Sequence, residues 1–137
     1  MATPHDLGKK GEELAAGFLE AKGYNILDRN YRFKRAEVDL VALRLEPAEL
    51  VFVEVKARSD TAFTYPEEAV DQAKRQAMFR AADSYIYEKK MMGIPVRFDI
   101  IAIGFDNPDH PLIHHIEDAF RMMGGTDMGF GETDIQF

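Results

Sequence analysis

Apolar residues recur at helical spacing near the start of the chain and at strand spacing through much of the rest. Leu7, Leu14, Phe18 and Ala21 share one side of a helix, with Asp6 placed to cap it and Gly23 just past its end. Tyr24 to Phe33, rich in aromatic and apolar residues, predicts a strand. Glu37 to Leu45 alternates, Glu46-Pro47-Ala48-Glu49 reads as a turn, and Leu50 to Lys56 is a β-branched run, so the two segments predict an antiparallel hairpin. Ser59 to Tyr65 reads as a loop. Pro66, followed by Glu67 and Glu68, opens a second helix: proline suits the first turn and acids suit the positive end of the dipole. Val70, Ala73, Ala77, Ala81 and Tyr85 mark its buried face, and Gly93 ends it. Val96 to Phe105 is a strongly apolar strand and Leu112 to Ile116 a shorter one.

The order is therefore α-β-β-β-α-β-β. This predicts the α/β class: a single mixed sheet flanked by helices, with three meandering strands and a crossover helix leading to a returning strand. At 137 residues the chain is one domain. We place that domain at residues 1–123 and read 124–137, rich in glycine and acid, as a mobile tail. No cysteine is present, which excludes a disulfide framework, a thiolate zinc site and a cysteine nucleophile, and fits a reducing cytoplasm. No apolar run approaches a membrane span, and Met1 to Lys10 has no stretch of signal-peptide type. The net charge of −7 comes mostly from residues 106–137, which hold seven acids against Arg121 alone. A globally basic nucleic-acid binder is excluded; a near-neutral body with a local basic patch is not.

The chemistry centres on the hairpin. Strand alternation puts Glu37, Asp39 and Val41 on one face, and Phe52, Glu54 and Lys56 on one face of the partner strand. Ions inside such an apolar run need a partner or a task. One reading is a cross-strand ion pair. The other is a phosphodiesterase site, in which two carboxylates hold a hard divalent cation through oxygen. A lysine two residues from a ligand then orients water or stabilises developing negative charge. On the first helix, at about 100° per residue, Glu12 falls at the margin of the apolar arc, beside Leu19. Glu13 falls on the solvent side, so only Glu12 can reach such a site.

These residues resemble the YraN-type proteins, a bacterial family of the PD-(D/E)xK nuclease superfamily whose characterised relatives include the archaeal Holliday-junction resolvases. The resemblance runs from Gly8 to Phe120. It rests on Gly11-Glu12-Glu13-Leu14-Ala15, Gly23-Tyr24, Arg29-Asn30-Tyr31-Arg32, Glu37-Val38-Asp39-Leu40-Val41 and Leu50 to Arg58 around Glu54-Val55-Lys56. Pro66 to Val70, Arg97 to Ile101 and His114 to Phe120 complete it. A lone Glu-x-Lys is weak; the ordered set is specific. The resemblance implies a restriction-endonuclease-like αβββαβ core. It implies Asp39 and Glu54 as ligands of Mg²⁺ or Mn²⁺ with the Val55 carbonyl as a third, Lys56 as the catalytic lysine, Glu12 as an additional acid and Lys74 as a supporting polar group. Ala36 stands where the family usually has glycine. If that glycine serves a positive φ, alanine costs about 1 kcal/mol there.

Arg29, Arg32, Lys34 and Arg35, interleaved with Tyr31 and Phe33, read as phosphate contacts or as a charged strand edge, and Arg58 follows the central strand. We assign these, with Lys74, to nucleic-acid binding. His110, His114 and His115 read as structural, and the Met91-Met92 and Met122-Met123 pairs as packing. The expectation is a divalent-metal-dependent endonuclease acting on DNA, branched or structured DNA included. A nucleic-acid-binding protein with this fold but little turnover, and a protein-interaction module, remain the alternatives. By the same resemblance a homodimer is expected, with Leu112 to Ile116, Phe120, Met122 and Met123 at its surface or else closing the monomer's sheet.

Overall fold

The computed structural model describes residues 3–59 and 70–122. Pro66 to Glu68, the domain end at 123 and the acidic tail lie outside the described residues. Helix α1 spans Pro4–Ala21, and strands β1, β2 and β3 span Asn25–Phe33, Ala36–Arg44 and Glu49–Arg58. Helix α2 spans Gln72–Lys89, β4 Val96–Gly104 and β5 Leu112–Phe120. The order is the one expected. The strands form one five-stranded mixed sheet in sequence order. Only β3 and β4 run parallel; the other neighbours are antiparallel.

The two parallel strands are central and buried on both faces, which is why they read as nearly continuous apolar runs. Val51, Val53, Ile101 and Ile103 pack with Ala15, Ala16 and Leu19 of α1. Phe52, Phe98 and Ile100, on the opposite face, pack with Met78, Phe79, Ala82 and Tyr85 of α2. One helix thus covers each face.

Several boundaries differ from expectation for local reasons. Thr3 caps α1, and Asp6 sits at the third helical position: the Thr3 hydroxyl accepts from the Asp6 N–H and the Asp6 carboxylate accepts from the Thr3 N–H, a capping box. Its buried stripe is Gly11, Ala15, Ala16 and Leu19, and Ala21 is exposed. Helix α2 begins at Gln72 because the Asp71 side chain accepts from the Lys74 N–H at 2.9 Å. Val70 is buried ahead of that cap, Ala73 is exposed, and Met78, Phe79 and Ala82 join Ala81 and Tyr85 on the buried face. Strand β5 runs on to Phe120, whose ring stacks on Phe98 with centroids 5.4 Å apart. Phe120 therefore closes the core, while Leu112 and Met122 are exposed. Met92 is exposed as well rather than packed. In the β1–β2 turn the left-handed residue is Lys34, at φ 56°, and not Ala36, which is buried in the α2-side core. Alanine at 36 therefore carries no backbone strain. Among the described residues, no helix is long and apolar enough to cross a membrane.

Candidate metal centre

The site forms where β2 and β3 separate. Their ladder pairs Arg44 with Glu49 through to Leu40 with Val53, and among the described residues these strands do not pair beyond it. Val38 and Val41 both join the α2-side core, whereas Leu40 joins the α1 side. The expected alternation of Glu37, Asp39 and Val41 on one face therefore slips between Val38 and Leu40. Asp39 lies in that irregularity. Its Oδ2 accepts from the Val55 N–H at 2.7 Å, substituting for the backbone partner the ladder no longer supplies.

Asp39 and Glu54 meet here. Burial pushes the Asp39 carboxyl up to about 8, the negative charge of Glu54 adds to this, the Val55 N–H opposes it, and Glu54 also hydrogen-bonds to Asp39. Two carboxyls this close cannot both stay ionised without a positive charge between them, whether a proton or a cation. Glu54 is 5% exposed. Lys56 Nζ lies 3.4 Å from its Oε2 and Lys74 Nζ 3.5 Å from its Oε1. The Lys74 contact is an ion pair without hydrogen-bond geometry, and among the described residues Oε1 has no hydrogen-bond partner. A buried carboxylate oxygen left in this way is an acceptor available to a further cation.

The expected residues thus converge from four elements. Glu12 reaches from α1 and is partly buried. Burial raises its carboxyl first, the hydrogen bond from the Asn30 amide and the charge of Arg29 lower it, and the nearby Glu37 and Glu54 raise it further. Asp39 comes from β2, Glu54 and Lys56 from β3, and Lys74 from α2. Lys74 turns inward, also donating to the Glu37 carbonyl at 3.4 Å, so it braces the site rather than facing outward as a surface contact. Among the described residues no group of three His, Asp or Glu side chains is placed to hold a metal. The donor set present is two hard carboxylates, with the Val55 carbonyl as the further candidate and water for the remainder. That suits Mg²⁺ or Mn²⁺, which keep several waters, better than zinc.

Of the basic residues, Arg29 and Arg32 neighbour the site's acids Glu12 and Glu37, while Lys34 and Arg35 lie in the β1–β2 turn. Arg29 and Arg35 are exposed, Arg32 is 3.5 Å from Glu37, Lys34 lies over the Phe33 ring, and Arg58 is exposed at the end of β3. Beside Glu12 and Glu37 a groove of about 530 Å³ opens between α1 and β1, lined also by His5, Gly8, Lys9, Asn30 and Arg32. Another concavity, of about 440 Å³, lies between α2, β4 and β5 and contains none of the expected site residues.

Two features escape sequence reasoning. Asn30, at φ 52°, holds Glu12; its one signal is that asparagine tolerates the left-handed region. Arg97 and Asp99 form a buried cluster: the guanidinium donates to both Asp99 oxygens, to Glu49 and to the Tyr24 hydroxyl. Asp99 also bonds His115 Nε2 at 2.7 Å and accepts from the Asp118 N–H at 3.0 Å. Burial works against the Arg97 charge, but its hydrogen bonds to Asp99 and Tyr24 raise it above the ordinary arginine value. His115 is thus structural, as expected.

Residues 11–103 match the model of a family described as Uncharacterised protein family UPF0102. A UPF0102 protein of Bacteroides thetaiotaomicron is 47% identical over 120 residues, covering 88% of this chain and 96% of the relative. One from Geobacter sulfurreducens is 43% identical over 116 residues, covering 85% and 89%. One from Rhodopirellula baltica is 40% identical over 120 residues, covering 86% and 72%. With the Asp39, Glu54 and Lys56 arrangement on this sheet, the chain belongs to family UPF0102, the YraN-type group of PD-(D/E)xK nuclease-like proteins.

Proposed function

We propose that this protein is a divalent-metal-dependent endonuclease that hydrolyses phosphodiester bonds in DNA, branched or structured DNA included. One observation carries the reading: Asp39 and Glu54 converge where their strands part, with a buried Glu54 oxygen that no hydrogen bond from the described residues satisfies. Asp39, Glu54 and the Val55 carbonyl would hold Mg²⁺ or Mn²⁺. Once bound, such a cation makes a coordinated water more acidic and offsets charge on the phosphate. Lys56, half-exposed beside Glu54, orients that water and stabilises charge developing on the phosphate. Lys74 keeps Glu54 in place from the α2 side, and the Val55 N–H fixes the Asp39 rotamer. Glu12, held by Asn30, is placed to accept or return a proton at the edge of the site.

The test is cleavage of labelled single-stranded, duplex and four-way-junction DNA with Mg²⁺, Mn²⁺ or chelator, with RNA strands as a further arm. Cation-dependent cutting that disappears in Asp39→Asn supports the reading. Tight binding with no product under either cation would replace it with a nucleic-acid-binding role for the same fold. Neither binding nor cutting would leave a protein-interaction module.

A further inference from the structure

We propose that the groove between α1 and β1 holds the sugar–phosphate backbone of the substrate strand beside the scissile bond, with Gly8 in its lining and Lys9 and Arg32 as its phosphate contacts. This rests on the nuclease reading and adds to it where the strand lies. His5, Gly8, Lys9 and Glu12 line one side of the groove, and Asn30, Arg32 and Glu37 the other. Positions 5, 8, 9 and 12 fall on one face of a helix. The inner end, at Glu37, neighbours the candidate centre, because Lys74 Nζ lies 3.4 Å from the Glu37 carbonyl and 3.5 Å from Glu54 Oε1. The groove therefore ends beside the candidate centre, with Glu12 and Glu37 between it and the Asp39–Glu54 pair.

Gly8 supplies an independent observation. A glycine inside a helix costs about 1 kcal/mol relative to alanine, and a helix packed tightly against a neighbour can require one. Gly8 has no such need, since a Cβ built there meets nothing within 4 Å. Gly8 lines the groove, so a side chain added there takes up space at the groove rather than against the sheet. The chain carries a net −7, so long-range attraction of a polyanion is absent and binding depends on local cations. Lys9 is exposed, and the Arg32 side chain is 75% exposed, 3.5 Å from Glu37. Both can turn to a phosphate at little cost to the fold.

The test measures binding of a fluorescent single strand and a duplex in Ca²⁺, which replaces Mg²⁺ so that the substrate stays whole, over a range of salt. Cleavage in Mn²⁺ and Mn²⁺ affinity by calorimetry are read in parallel. Gly8→Leu takes up space at the groove, so it should weaken binding and raise KM at least tenfold with Mn²⁺ affinity unchanged. Gly8→Ala, which adds one methyl group, should have a smaller effect. In Lys9→Ala/Arg32→Ala the slope of log affinity against log salt should fall by about 1.5, from about 0.7–0.9 per phosphate contact. Lys89→Ala, which removes one charge at the end of α2, should leave the slope as it is. A wild type that cuts, beside a Gly8→Leu variant with unchanged KM and a double variant with unchanged slope, overturns the groove assignment and leaves the nuclease reading standing. A wild type that neither binds nor cuts any strand overturns both.

Discussion

Replacing Gly11 by alanine tests how closely α1 must lie on the sheet to deliver Glu12. A Cβ at position 11 would stand 2.8 Å from the Ala57 Cβ, 3.7 Å from Val55 Cγ1 and 3.8 Å from Ile103 Cδ1. Methyl carbons are at ease at about 3.5–4.0 Å, so the helix and β3 must part by roughly 0.7–1.2 Å. Ala57 has no rotamer by which to yield, and the movement must come from backbone. Overpacking of this kind costs about 1–3 kcal/mol. Alanine's helix preference returns about 0.8–1.0 kcal/mol, leaving a net loss of about 1 kcal/mol. Gly17 provides the matched control, since its Cβ meets nothing within 4 Å and the residue is exposed. Gly17→Ala should therefore gain about 0.5–1 kcal/mol. Urea denaturation followed by circular dichroism should separate the two variants by about 2 kcal/mol. Because Glu12 is the next residue, cleavage by Gly11→Ala should also fall, by up to about a hundredfold if Glu12 shifts by an ångström. A Gly11→Ala protein as stable as Gly17→Ala would refute the close-approach argument, whatever its activity.

Further outcomes follow from the same physics. The Asp39 carboxyl rises to about 8 from its ordinary 3.8, so the folded state holds that proton more tightly and metal-free stability falls as pH climbs between those values. Such a rise is worth at most about 6 kcal/mol, and water reaching this partly buried group brings the expected figure to about 2 kcal/mol. Asp39→Asn should therefore stabilise the metal-free protein at pH 8, change it little at pH 4, and abolish both Mn²⁺-induced stabilisation and cleavage; a variant less stable at pH 8 would contradict the assignment. Lys56→Ala should lower kcat far more than it lowers Mn²⁺ affinity, with single-turnover rates and calorimetry as the readouts. At the Arg97 cluster, burial raises the Asp99 carboxyl, but hydrogen bonds from His115, Arg97 and the Asp118 N–H prevail and hold it below the usual value. Its contribution is thus present above about pH 4 and lost on acidification, and Asp99→Asn should cost about 1.5–3 kcal/mol by weakening charge-assisted hydrogen bonds to Arg97, which keeps Glu49 as an ion-pair partner. Light scattering tests the proposed homodimer: a monomer throughout the micromolar range, on and off DNA, would leave a single-strand nick as the simple activity.

The element order was readable because strand and helix periods here are seldom in conflict. Val51 to Val55 and Phe98 to Ile103 are apolar on both faces, and only a central strand buried between two helices makes use of that pattern. Glu54 stood out for the same reason, as a charge inside such a run. What could not be read was set by contacts distant in sequence or by backbone detail. The stripe of α1 is centred on Ala15 and Ala16 rather than on the larger Leu14 and Phe18, because the closest approach to β3 admits only small side chains. The slip in β2 at Asp39 is invisible to a period-two count, since Val38, Asp39 and Leu40 alternate perfectly well as text. Asn30 offered only its tolerance of the left-handed region.

That slip is also what makes the site possible. In a regular antiparallel pair, the Val55 N–H would bond a β2 carbonyl and the ladder would continue past Leu40. Instead the Asp39 carboxylate takes that N–H, so the side chain satisfies a backbone donor and is fixed in place by the same bond. Glu54, one residue earlier, remains beneath α2 with its oxygens between Lys56 and Lys74. Two acids are thereby forced together by main-chain requirements, and the fold accepts an electrostatic cost that sequence propensity would not select. A proton relieves that cost in the metal-free protein and a divalent cation would relieve it more fully, because two carboxylates can then both be ionised. Metal binding should therefore release a proton at pH 7, and more of one at pH 6 than at pH 9. Calorimetry of Mn²⁺ binding in buffers of different ionisation enthalpy reads that number directly. A proton count of zero at both pH values would mean that Asp39 and Glu54 do not share their charge, and the proposed centre would have to be abandoned.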